Sequence, residues 1–454
     1  MDDINRTPKA MGPVIQTSTA HALISLIRNP LDAVPRSIFT EPMVFAKTAG
    51  DVKVWIADPV LVHEALVKNA DALEKGDQVR RALGPALGKG LLTADGGHWK
   101  WQRQSVANAF RPASLQELQP AMIAAAERSR NRLLQQSLSI VDVGHEMMQT
   151  TFDIIVQTMM SGGHGIDVSR VEGSITDYLS PSGWTFALGV IGAPDWTPYP
   201  GGRKALAAVK FLRSSLARVI DERRRGQEER HDLVSMLLAA KDPETERTMT
   251  DDEMVDNLMT FITAGHETTA LGLAWTFDLL SRHPEIEQKV VEEIASVSSG
   301  GEIAPEHIPM LDYTRQVFSE AMRLYPPAPI VTRTALKGFR LGKFLIPAGT
   351  GIFVPIYAVH RHASIWRDPE VFDPERFSPD AVKERHRYAY MPFGAGPRVC
   401  IGSGFALMEA VAVLAVILRK VSMTSVAEQP PEPLMKVTLR PKKSLLMRVK
   451  QRRP

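Results

Sequence analysis

Phe393-Gly-Ala-Gly-Pro-Arg-Val-Cys-Ile-Gly402 holds the only cysteine of the chain, Cys400, just ahead of a long apolar run. A single thiolate cannot form an intrachain disulfide or a multi-cysteine zinc site. It can be the one axial ligand of a haem iron. Gly394, Gly396 and Gly402 permit positive φ and let the backbone approach a flat ligand closely. The run from Gly404 to Leu418 predicts a helix, which puts Cys400 at its N-terminal end. Free amides and the positive dipole end favour negative charge on sulfur there. Arg398, two residues away, can meet an anionic group on the same ligand. A lone cysteine at a helix start is more often a buried, inert residue, so the rest of the chain has to decide.

The chain has 454 residues, 44% hydrophobic and 23% charged, with a formal net charge of +3. That composition supports a large globular core. The small net charge does not point to nucleic acid, and one cysteine fits a reducing compartment. No Gly/Ser or Pro-rich linker divides the sequence and no repeat is visible. A single domain over residues 1–454 is expected, with 1–40 as an N-terminal extension. The start, Met1-Asp-Asp-Ile-Asn-Arg, lacks a signal-peptide core. His21–Ile27 and Phe405–Leu418 are too short to span a bilayer. These features predict a cytoplasmic protein without a membrane span.

Met43–Ala49 and Val52–Ala57 alternate around Gly50-Asp51, as a hairpin does. Pro59 opens a helix through Val67. Apolar residues recur at helical spacing over Pro112–Ile155 and Arg203–Ala240. Ser180–Gly202, rich in Gly, Pro and aromatics, predicts a mobile loop over a pocket. Thr250-Asp-Asp-Glu253 is a capping box opening a helix to about Arg282, on the order of 45 Å long. A further helix, near Met310–Leu324, stops at Pro326-Pro327. Short strands follow over Gly338–Pro355, and the tail after Pro430 predicts a hairpin turning near Pro441-Lys442-Lys443. Helix dominates, with a minor sheet.

Ala264-Gly-His-Glu-Thr268 lies mid-way along the long helix. Small residues at 264 and 265 allow close approach to the backbone, and Gly265 costs about 1 kcal/mol there unless packing requires it. Glu267 and Thr268 set an acid beside a hydroxyl. Glu320 and Arg323, at i and i+3, share a helix face, as do Trp99 and Arg103 at i and i+4. Each pair alone is an ordinary surface contact.

Together, and in order, these segments resemble the cytochrome P450 family. The cysteine loop matches Phe-x-x-Gly-x-Arg-x-Cys-x-Gly at Phe393, Gly396, Arg398, Cys400 and Gly402. Ala264–Thr268 matches Ala-Gly-x-(Asp/Glu)-Thr. Glu320 and Arg323 match Glu-x-x-Arg, and Asp373-Pro-Glu-Arg376-Phe matches the downstream Pro-Glu-Arg-Phe element. Trp99 and Arg103 match Trp-x-x-x-Arg, and Arg333 matches a second arginine of this kind. The resemblance runs from about residue 40 to the C-terminus.

The resemblance implies a mainly α triangular prism with a minor β-rich region around one haem b. Cys400 would be the iron ligand. Trp99, Arg103, Arg333, Phe393, Arg398, Gly402, Ala264 and Gly265 would form the cofactor site. Thr268 and Glu267 would serve oxygen activation and proton relay, and Glu320, Arg323 and Arg376 would form a structural triad. The pocket would be lined from Asp77–Leu92, Leu179–Trp196, Ile262–Thr269, Ala328–Val331 and Leu434-Met435. Trp184, Phe186, Ile262, Ile330 and Val331 are its apolar candidates. The implied reaction hydroxylates or epoxidises a lipophilic molecule, such as a fatty acid, terpenoid or steroid, using dioxygen and two electrons. No fused reductase is seen, so a separate ferredoxin or flavodoxin is expected. Lys100, Arg111 and Arg419 are candidate docking charges, while the basic tail after Met435 reads as a solvated face. The roles of His98 and His266 stay open.

Competing chemistries leave little trace. His266-Glu267 cannot begin His-Glu-x-x-His zinc binding, because position 270 is Ala. Gly84–Gly90 is one residue short of a P-loop, with no Ser or Thr after its Lys. No Gly-x-Ser-x-Gly elbow or Gly-x-Gly-x-x-Gly turn occurs. A peroxide-using or isomerising haem-thiolate enzyme remains an alternative, as does a non-catalytic haem sensor.

Overall fold

Thr250 and Glu253 close the capping box at the head of helix Asp251–Arg282, and each accepts the other's backbone amide. This computed structural model describes residues 12–161, 168–226, 232–242 and 245–452. The acidic start at Met1 and the last basic residue, Arg453, lie outside them. The long helix is buried over most of its length. Helix Val143–Met160 runs against it. Gly265 sits at that contact: a Cβ there would come within 2.8 Å of Ile155 Cδ1. Close packing therefore accounts for a glycine in mid-helix.

Helix Ser403–Leu418 is apolar almost all round and packs on Pro112–Gln135, so it is the core helix its composition predicts. Trp275, fully buried on the long helix, stacks on Tyr325 with ring centroids 3.8 Å apart. Its Nε1 donates to the Leu439 carbonyl at 3.3 Å, which ties the C-terminal hairpin to the helical core.

A smaller core lies at the β-rich corner. Its sheet runs in the order Val14–Gln16, Met43–Thr48, Asp51–Ile56, Gly351–Val354, Val331–Ala335 and Leu73–Lys75. The expected hairpin pairs Met43 with Ile56 through Thr48 with Asp51, but it turns at Ala49-Gly50, one residue before the expected Gly50-Asp51, and both turn residues have positive φ. A second sheet joins Val421–Ser425, Leu446–Gln451 and Ile140–Asp142. Mainly α with a minor β region is the observed class. Among the described residues, no helix is long and apolar enough to cross a membrane.

Four other local expectations need correcting. Ser182–Val190 is a helix, not a loop: the glycines and prolines on either side bound it rather than dissolve it. The strand Ile140–Asp142 interrupts the helical run between Gln135 and Val143. The tail hairpin pairs Pro433–Met435 with Leu439–Pro441, so its turn is at 436–438 and not near Pro441. Residues 14–39, read as an extension, are built into the fold: Val14 pairs with Phe45, and helix Thr19–Arg28 packs on Ser182–Val190.

Candidate active site

A cavity of about 470 Å³ opens between the long helix, the β-rich corner and the cysteine loop. Cys400 faces it, exposed to the cavity though deep beneath the outer surface. The loop is set by its glycines. Gly394 and Gly396 have φ of +78° and +73°, and a Cβ on Gly396 would fall 2.0 Å from the Leu66 carbonyl oxygen. Only glycine fits there. The Cys400 amide donates to the Phe393 carbonyl at 2.9 Å, closing the loop one turn before helix Ser403–Leu418. Burial pushes the thiol up, and the Gly402 amide, Arg103 and Lys75 pull it back.

Trp99, Arg103, Arg333, Phe393, Arg398 and Gly402 all line the same cavity, as do Ala264 and Gly265. The Arg398 guanidinium lies 4.0 Å over the Trp99 ring and that of Arg103 5.9 Å from it. Arg398 also donates to the Ala94 carbonyl at 2.7 Å and pairs with Asp95. The Arg333 side chain is buried and donates to the Thr332 carbonyl at 2.8 Å. Burial, with Arg398 adding to it, pushes Arg333 down to about 10.

Lys75, from strand Leu73–Lys75, joins this group and carries no motif that marks it in the sequence. Burial, then Arg333 and Arg398, push it down to about 7. Lys75, Arg103, Arg333 and Arg398 thus bring four cationic side chains to the cavity, with the Asp95 carboxylate set beside them. Uncompensated buried positive charge is costly. A flat ligand carrying two carboxylates relieves it, and the open face above Cys400 supplies the metal ligand. The residues present fit an iron porphyrin on both counts.

On the long helix, Thr268 lines the cavity and its Oγ1 donates to the Ala264 carbonyl at 2.7 Å. Glu267 is only 3% exposed. Glu267 is thus not a solvated surface acid. Its Oε1 accepts from Thr438 Oγ1 at 2.8 Å and from Arg440. His266 faces away, its Nδ1 3.1 Å from the Ile262 carbonyl and its ring edge-on to Phe152. His98 also turns aside, towards Gln102 at 2.5 Å and Glu253 at 3.9 Å.

Of the apolar candidates, Phe186, Ile330 and Val331 line the cavity. Ile262 does not. It lies on the opposite face of the long helix, with Phe152 and Leu212, because it is a helical half-turn away from Ala264. Trp184 lines a separate surface hollow with Lys204 and Lys436, on the outer side of its helix. Helix Thr19–Arg28 supplies lining residues the motifs could not suggest, Ala22 and Leu26.

The triad residues meet away from the cavity. Arg323 Nε and Nη2 donate to the two Glu320 oxygens at 2.6 and 2.8 Å, and both side chains are fully buried. Arg376 Nε lies 3.5 Å from Glu320 Oε1. Arg323 also donates to the carbonyls of His360, Pro369 and Val371, fixing the segment that leads towards the cysteine loop.

The family model for cytochrome P450 matches residues 31–448. The chain belongs to the cytochrome P450 family. It is 33% identical over 397 residues to cyclooctatin synthase of Streptomyces melanosporofaciens, covering 85% of this chain and 83% of that one. It is 34% identical to cyclooctat-9-en-7-ol 5-monooxygenase of the same organism, covering 81% and 80%. It is 31% identical to pentalenene oxygenase of Streptomyces avermitilis, covering 87% of each. The crystal structure of a cytochrome P450DA haem domain superposes with a TM-score of 0.84 at 24% identity over 98% of this chain and 99% of that one, a likeness of fold. The protein is thus a haem-thiolate monooxygenase that uses haem b, dioxygen, a substrate and a redox partner.

Proposed function

We propose that this P450 hydroxylates or epoxidises a terpenoid hydrocarbon, with electrons from a separate ferredoxin. For hydroxylation the overall change is RH + O₂ + 2 e⁻ + 2 H⁺ → ROH + H₂O. The observation that carries the reading is a largely apolar cavity faced by Cys400 on one side and by Thr268 and Glu267 on another. Haem supplies the oxygen chemistry when bound, its thiolate ligand pushing electron density to favour O–O cleavage, as is general for cytochrome P450s. Cys400 would be that ligand. Lys75, Arg103, Arg333 and Arg398 would hold the two carboxylates, with Trp99 covering Arg398. Thr268 would orient the oxygen end of the site, and Glu267 would carry protons to it.

Phe186, Ile330, Val331, Leu26 and Met435 offer the substrate no charge and little to hydrogen-bond. Lys53, on the hairpin strand, is the one cation of the wall outside the carboxylate-holding group among the described residues. Such walls suit a hydrocarbon skeleton over a fatty acid, whose carboxylate would have to reach that lysine to be paired. The relatives named for cyclooctatin and pentalenene support the same class.

For the redox partner, Lys100 and Arg111 are exposed, next in the chain to the cavity-lining Trp99 and Phe110, and would suit an acidic ferredoxin. Arg419 leaves the expected cluster. It is largely buried, paired with Glu302 at 2.6 Å and donating to the Gly300 carbonyl at 3.0 Å. The tail is not simply solvated either: Arg440, Lys442 and Arg452 pair with Glu267, Glu432 and Glu287.

The test is turnover of pentalenene and of dodecanoic acid with a ferredoxin and its reductase. An oxygenated terpenoid at a rate above that of the acid supports the reading. Preferential oxidation of the acid overturns the substrate class.

A further inference from the structure

The carboxylate beside Thr268 is held by the far end of the chain. Glu267 Oε1 accepts from Thr438 Oγ1 at 2.8 Å and from the Arg440 guanidinium. Glu267 Oε2 is buried and has no hydrogen-bond partner among the described residues. The turn of the hairpin is short, Met435 pairing with Leu439. The main chain is pinned as well, since the Leu439 amide donates to the Pro327 carbonyl at 3.0 Å. Met435, Val437 and Thr438, from the same few residues, form part of the cavity wall. A substrate bound in the cavity beside haem therefore lies against the segment that grips Glu267.

We infer that Arg440 and Thr438 are positioning residues that hold Glu267 back from proton transfer while no substrate is bound, and that the hairpin releases it when substrate occupies the part of the cavity that haem leaves open. This rests on the reading of Glu267 as the proton carrier. The chemistry supports a restraint. A charge-assisted pair is roughly twice as strong as a neutral hydrogen bond. The carboxylate has one oxygen fixed and one free, so a small displacement of Arg440 turns it. The differential contact that a ligand needs to bias two states is the wall at Met435 and Val437. The benefit is chemical. With no substrate bound, delivered protons turn two electrons and dioxygen into hydrogen peroxide (O₂ + 2 e⁻ + 2 H⁺ → H₂O₂). A restrained acid slows that waste.

The haem-loaded full chain, reduced by a ferredoxin and its reductase, is assayed for oxygen consumption without added lipid and with pentalenene. Hydrogen exchange of amides 434–440 is followed in parallel, with and without haem. Arg440→Leu should raise lipid-free oxygen consumption about tenfold, below the 10²–10⁴-fold that a general acid–base group can supply in full. It should also speed exchange across the hairpin. Arg440→Lys should restore the wild-type restraint, which a merely structural loss would not predict. Thr438→Val should move both readouts the same way by a smaller factor, so the test survives if Arg440→Leu folds poorly. Glu267→Gln separates the two claims. If it leaves oxygen consumption unchanged, the proton-carrier reading fails. If it slows consumption while Arg440→Leu and Thr438→Val match wild type, that reading stands and the restraint is overturned.

Discussion

The His360 imidazole accepts the Met391 amide proton through Nε2 at 2.9 Å, two residues ahead of Phe393 and the cysteine loop. Its other nitrogen, Nδ1, carries the proton and donates to the Arg323 carbonyl at 3.2 Å. The Arg323 side chain returns a hydrogen bond to the His360 carbonyl at 2.8 Å. One neutral histidine thus links the buried Glu320–Arg323 pair to the start of the loop that bears Cys400.

Burial, followed by Arg323, pushes His360 down to about 3. The folded protein therefore keeps it neutral while the unfolded chain binds a proton below about 6.5. This contribution to stability is complete above that value and is lost as pH falls towards 3, by at most about 1.4 kcal/mol per pH unit. Melting temperature measured from neutral pH down to about pH 5 should fall faster for wild type than for His360→Gln. Parallel curves would show that His360 is not held neutral.

Glu320 is the carboxylate to which the fully buried Arg323 donates through two nitrogens. Removing one partner of a buried pair costs about 3–5 kcal/mol because the other charge is stranded. Glu320→Ala should lower the melting temperature and the fraction of protein that retains haem. Unchanged haem content at wild-type stability would remove the structural role.

Lys75 tests the cofactor's carboxylate site. Its folded value, about 7 without cofactor, lies below its ordinary value of 10.5. Between those values the unfolded chain holds the extra proton, so the stability of the haem-free protein should rise with pH across that window. A dianionic ligand restores the charge on Lys75. Haem binding at about pH 9 should therefore take up about one proton at Lys75, set against the proton that the Cys400 thiol gives up on becoming the iron ligand, so the uptake is read as the difference in buffer-dependent binding enthalpy between wild type and Lys75→Met. Lys75→Met should remove that uptake and flatten the stability curve. An uptake unchanged in Lys75→Met would place the titrating group elsewhere.

Much of the fold and site was legible because it is local. Thr250 and Glu253 mark the head of the long helix, and the spacing Phe393–Gly402 marks the cysteine loop. What escaped is held through space. Lys75, His360 and Arg440 act through partners 20 to more than 170 positions away, and nothing near them in the chain says so. Side-chain direction was the other gap: Ile262 and Ala264 are two residues apart and face opposite ways. At Ser182–Val190, flanking glycines and prolines concealed nine helical residues that tertiary contacts with Thr19–Arg28 stabilise.

Lys100 and Arg111 bear on electron supply. Complementary charge raises association rates and makes them sensitive to salt. Lys100→Glu and Arg111→Glu should slow reduction by ferredoxin, most strongly at low ionic strength, while peroxide-driven turnover is spared. Rates indifferent to both reversals and to salt would move the docking site off this face.

The central claim is that Cys400 is the thiolate on iron. The carbon monoxide difference spectrum of the reduced, haem-loaded protein tests it most directly. Wild type should give the long-wavelength band of a thiolate-ligated haem, and Cys400→Ser should lose that band whether or not it still binds haem. A Cys400→Ser protein that keeps the band would contradict the assignment.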